Sequence, residues 1–154
     1  MENLGFVSFE PQNGNFKGFI TMDVAFDSNR DPQMVLQEAI NVYTQAIAKL
    51  QSILKELELI KSRRETIPAR KIWQIGNVIF KLKDSLEILG LQLDSMYKHL
   101  TRDLGVKKKW LEKVIILRRY IENEEIIPQS LNWGRCEKGT RKVAKKISEG
   151  TYSI

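Results

Sequence analysis

The stretch MYKHLTRDLGVKKKWLEKVIILRRY, residues 96–120, decides how the fold is read. Leu100 and Leu104 are four apart before Gly105, and Leu111 and Val114 are three apart after it, with Val106 between the two sets. That spacing predicts two short helices crossing at a tight turn, where glycine takes a positive φ without a Cβ clash. The pattern is that of a helix-turn-helix, whose second helix can enter a DNA major groove. The second helix opens with Lys107, Lys108 and Lys109. Cations at a helix N-terminus oppose the macrodipole, at a cost of tenths of a kcal/mol each when solvated. A bound phosphate reverses the sign, because amides and ammonium groups then converge on one anion. A solvated lysine face is the plain alternative.

On the N-terminal side, Asp31-Pro32 is a strong helix start, with Asp as N-cap and Pro at the first helical position. Leu36, Ile40, Tyr43, Ile47, Leu50, Leu54 and Leu57 then alternate steps of four and three. Ala39, Ala46, Ile53 and Ile60 form a second stripe beside them. The apolar face is broader than a two-stranded coiled-coil seam, so the helix is either the spine of a bundle or a dimer element. Its length of about 30 residues tilts the expectation to a homodimer through Leu36, Ile40, Ile47, Leu50, Leu54 and Leu57. Before it, residues 4–9 and 16–26 read as strands, the second by its period-two alternation from Ile20 to Phe26. The Asn13-Gly14 pair between them suits a hairpin turn.

Ile67-Pro68 separates the spine from a third apolar pattern, Ile72, Trp73, Ile75, Ile79, Phe80, Leu82 and Leu86. Gly76 inside it costs up to about 1 kcal/mol against alanine, which points to close helix packing there. Gly90 is expected to close that helix, leaving residues 91–104 for the first half of the helix-turn-helix. Further on, Ser130 is a candidate cap for a last helix over 130–150. Arg141, Lys142, Lys145 and Lys146 surround a thin stripe of Val143 and Ile147, so this helix is expected to order on a partner.

At 154 residues the chain is long enough for a core. No apolar run approaches the length of a membrane span, and no secretory signal stands at the start, so a cytoplasmic protein is expected. Residues 1–60 carry a formal balance of −4 and residues 61–154 one of +10. A basic half suits a polyanion, nucleic acid before membrane, although a high pI can also serve solubility alone.

Catalysis is not expected. His99 is the sole histidine and Cys136 the sole cysteine, so neither has a base or a multi-cysteine zinc site to work with. No Glu-x-Lys or Asp-x-Lys occurs, which removes the usual metal-nuclease element, and no phosphate-binding glycine loop is present. Neither metal nor cofactor is expected. Of the tryptophans, Trp73 and Trp133 read as core, and Trp110 alone as a neighbour for phosphates.

From residue 67 to 142, the W-x-I-G-x-x-I pattern at 73–79, LTRDLG at 100–105, Arg118-Arg119-Tyr120 and SLNWG at 130–134 follow in order. Together they resemble the YhcG-type N-terminal domain. The resemblance implies a helix-turn-helix-like domain that normally precedes a nuclease domain. No nuclease half follows in this sequence, so a DNA-recognition or interaction domain is expected, working with a nuclease encoded separately. The LGVKKKW turn lacks the glycine- and serine-rich link usual there.

The expected fold is mainly α: a four- to five-helix bundle with a helix-turn-helix-like pair and an N-terminal β-hairpin over 1–30. The helical domain spans 31–150, with a spine at 31–62, a core at 67–121 and a basic helix at 130–150. The expected function is binding of double-stranded DNA, with Lys107, Lys108, Lys109 and Lys113 on phosphates and Arg102, Arg141 and Lys142 flanking them. The competing expectation is a scaffold module acting through the heptad helix.

Overall fold

A computed structural model describes residues 5–12, 15–21, 32–89, 91–93 and 96–153. The fold is mainly helical, built on α1 (Pro32–Ser62), α2 (Ala69–Ile88), α3 (Met96–Leu104), α4 (Lys108–Tyr120), α5 (Trp133–Glu137) and α6 (Thr140–Ser148). Short extended stretches are β1 (Gly5–Gln12), β2 (Asn15–Thr21) and β3 (Leu91–Leu93). The Asn13-Gly14 turn, the strand residues after Thr21, the Asp31 cap and Gly90 lie outside the described residues. Leu91–Leu93 is extended, so the first helix of the expected helix-turn-helix begins only at Met96.

The chain divides into two compact units, Met1–Lys49 with Phe80–Val106, and Leu50–Ile79 with Lys107–Ile154. In the first, Val35, Ala39, Tyr43, Ala46 and Ile47 of α1 are buried, as are Leu82 and Leu86 of α2, Leu89 just after it, and Leu100 of α3. The Tyr43 hydroxyl donates to Asp103 Oδ2, tying α1 to α3. Removal from water, then the hydrogen bond to Asp103 and its negative charge, raises the Tyr43 phenol far above its ordinary value.

The second unit packs Leu50 and Leu57 of α1, Ile72, Trp73, Ile75 and Ile79 of α2, and Leu111, Val114, Ile115 and Leu117 of α4 in its core. Gly76 has a packing reason. A Cβ there would stand 2.7 Å from Arg118 Cβ and 3.0 Å from the Val114 carbonyl oxygen, so α2 and α4 approach at backbone distance. The Trp73 indole N–H donates to the Ile121 carbonyl at 2.7 Å, and the Arg118 guanidinium lies 5.4 Å from the Trp73 ring centroid. Arg118 Nε also donates to Asn77 Oδ1 at 3.0 Å, which holds the arginine along α2. The segment before α5 is pinned beside the start of α2: Ala69 N donates to Leu131 O at 2.9 Å and Trp133 N to Ile67 O at 2.7 Å.

Part of the expected dimer seam is taken up within the chain. Ile47, Leu50 and Leu57 are covered by the chain itself, while Ile40 and Leu54 are half-buried. Leu36 belongs to α1, but its side chain lies outside the described ones. Area already removed from water within one chain cannot be removed again by dimerisation, so Ile47, Leu50 and Leu57 serve the chain's own core. Ala39 and Ala46 of the second stripe are buried as well, whereas Ile53 and Ile60 are half-buried.

The basic helix expected over 130–150 is two helices. Asn132, not Ser130, caps α5, its side chain accepting from Arg135 N at 3.0 Å. Gly139, at φ 139°, breaks the chain before α6. α6 does not await a partner: Thr140, Ala144 and Ile147, spaced four and three, are buried in its own unit. Alanine at position 144 supplies the apolar face that valine and isoleucine alone left too thin. Among the described residues no helix is long and apolar enough to cross a membrane.

Candidate nucleic-acid interface

α4 turns one side to the core through Leu111, Val114, Ile115 and Leu117. Lys113, Ile116 and Tyr120, at steps of three and four, fall on a different face of the same helix and line a groove. α6 supplies the facing wall. With Ala144 and Ile147 directed inward, Arg141, Lys142 and Lys145 are left at the groove beside the buried Thr140. Glu137, Gly139 and Thr140 complete the lining of this open groove, whose volume is about 700 Å³.

The electrostatics of this groove are one-sided. Lys113, Arg141, Lys142 and Lys145 face a single lining carboxylate, Glu137. None of the four cations forms an ion pair among the described residues. Arg141 and Lys142 also sit in the first turn of α6, where the partial charge of the helix end is positive and no side chain caps it. Cations gathered in this way repel one another and lose that repulsion when an anion enters.

Lys113, Arg141 and Lys142 are therefore brought together. Lys107, Lys108 and Lys109 are not part of the groove lining. Lys107 is the extended N-cap of α4, and Lys108 and Lys109 form its first turn, all exposed and without a side-chain cap. Arg102 is exposed in the last turn of α3, in the other unit. Gly105 takes the anticipated positive φ, 66°, directly after α3. Sequence reasoning missed Ile116, Tyr120 and Lys145 as wall residues. The i, i+3, i+7 spacing of Lys113, Ile116 and Tyr120 was the available signal.

Cys136 is buried, its Sγ lies 3.6 Å from the Asn132 carbonyl oxygen, and burial pushes its thiol up to about 11. His99 is half-buried on α3. No group of three or more His, Cys, Asp or Glu residues suited to a metal ion occurs among the described residues. No protein-family model matches the chain, and no curated protein or solved structure matches it either.

Proposed function

We propose that the chain is a nucleic-acid-binding protein, a helix-turn-helix-like DNA binder without a catalytic step of its own. One observation carries the proposal: four cations on α4 and α6 line one groove, and none forms an ion pair among the described residues. Phosphates are the natural counter-charge for such a surface, and their contacts release condensed counterions. The exposed lysines at the start of α4 extend the same chemistry. α3 and α4, joined across Gly105, are read as the helix-turn-helix-like pair. The resemblance to YhcG-type domains points the same way. The N-terminal strands are read as a β-hairpin, supported by an antiparallel register that sets Phe6 opposite Thr21 and Gln12 opposite Asn15.

The test is fluorescence anisotropy of a random-sequence duplex with the full chain across a salt series. Binding that weakens linearly in log salt supports the proposal. No binding at low salt removes it.

A further inference from the structure

The groove on α4 and α6 is more than a row of cations, and its shape bears on what it holds. A duplex offers phosphates at its surface, and flush lysines meet them without any cavity. Here the cations border an open groove of about 700 Å³ that also carries apolar surface. Ile116 and the half-buried Tyr120 bring apolar and aromatic surface to the wall. Gly139 leaves open the space a side chain would fill, since a Cβ built there meets nothing within 4 Å. Apolar and aromatic walls together with unpaired cations match a ligand that is flat and apolar at one end and anionic at the other.

We infer that this groove receives an unpaired nucleotide of a single strand, its base against Tyr120 and its flanking phosphates on Lys113, Arg141, Lys142 and Lys145. The inference rests on the nucleic-acid reading and deepens it. Stacking on an aromatic side chain tolerates any base, because every base has a π-face, while the cations hold the backbone without reading sequence. The lone carboxylate, Glu137, leaves the lining with a surplus of positive charge. An anionic strand is therefore favoured over a neutral apolar ligand. In a paired duplex the base faces are already stacked and cannot reach Tyr120, so the pocket selects unpaired segments, frayed ends or extruded bases.

The test compares a labelled oligothymidylate of about 12 nucleotides, within the site sizes of single-strand grooves, with a duplex of equal length. Both are titrated onto the full chain, wild type and Tyr120→Leu, by anisotropy, with circular dichroism as the folding control. Leucine keeps apolar bulk and removes the aromatic face. Tyr120→Leu is expected to weaken oligothymidylate binding by about 5- to 150-fold, the worth of one base–aromatic stack, and to weaken duplex binding far less. Tyr120→Phe is expected to bind as wild type does. Should Tyr120→Leu not fold, crosslinking of wild type to a 5-iododeoxyuridine-substituted strand gives the same answer, with the adduct expected on Tyr120. Unchanged single-strand binding in folded Tyr120→Leu, or adducts only away from the groove, overturns the inference while salt-dependent duplex binding keeps the broader reading alive. Failure of both strand types to bind at low salt removes both.

Discussion

Tyr43 on α1 donates its phenolic proton to Asp103 at the end of α3, sixty residues further along the chain. The tyrosine is fully buried and lies within the apolar stripe of its helix, so a polar bond closes what the periodicity describes as hydrophobic packing. Hydrogen bonds to charged groups contribute about 1.5–3 kcal/mol, and a partner left without its donor forfeits that amount. Tyr43→Phe is therefore expected to lower the unfolding free energy by about 1–3 kcal/mol in urea denaturation. A loss below a few tenths would show that the bond contributes nothing net.

The same pair sets a pH dependence. The folded phenol titrates above its unfolded value of about 10. Its contribution is fully present below about pH 10, where both states hold the proton. It is lost as pH rises further, because the unfolded chain then releases a proton that the folded chain retains. Wild type is expected to lose stability above about pH 10 more steeply than Tyr43→Phe. Parallel alkaline profiles of the two proteins would count against this.

Gly76→Ala separates helix propensity from packing. Propensity alone makes alanine better by up to about 1 kcal/mol. The added Cβ, however, would meet Arg118 Cβ and the Val114 carbonyl oxygen, neither of them the far end of a flexible side chain. Forcing the helices apart costs about 1–3 kcal/mol, so a lower melting temperature is expected. A higher one would mean that α2 and α4 can part without penalty.

Cys136 offers a probe of the second unit. Burial holds its thiol at about 11, against about 8.5 in an unfolded chain. The folded protein therefore keeps the reactive thiolate scarce near pH 8, and a thiol reagent is expected to label Cys136 only as the unit opens. Labelling in native buffer at the rate seen in denaturant would contradict the burial. The linked stability is present below about pH 8.5 and lost as pH rises towards about 11.

How much of this was legible in the sequence differs by residue. Helical periodicity exposed α1, α2 and α4, since a repeat of three and four needs no knowledge of the partner surface. On α1 it found both the main stripe, where Tyr43, Ile47, Leu50 and Leu57 are buried, and the flanking Ala39 and Ala46. Gly76 and Gly105 were readable, each by a single local demand. Tyr43 with Asp103 was not, as no local rule pairs residues sixty apart. Lys113, Arg141 and Lys142 were candidates separately. Their meeting in one groove depends on the Gly139 break and on the buried Thr140, Ala144 and Ile147 that orient α6.

The groove and the start of α4 make separable demands on DNA. Lys107, Lys108 and Lys109 are exposed and outside the groove lining, whereas Lys113, Arg141 and Lys142 belong to it. All six avoid the buried apolar faces of their helices, so charge reversal is expected to leave the melting temperature nearly unchanged. Each phosphate contact contributes about 0.9 to the slope of log K against log salt on duplex DNA. If the groove cations carry the binding, reversing Lys113, Arg141 and Lys142 together flattens that slope by up to about 2.7. The Lys107–Lys109 triple variant then lowers it only as far as those lysines reach the same strand. Equal flattening by both triple variants would describe one extended phosphate track over the whole of α4. Full binding and an unchanged slope in the groove variant, with the effect confined to positions 107–109, would move the DNA to the start of α4 and leave the groove for another ligand.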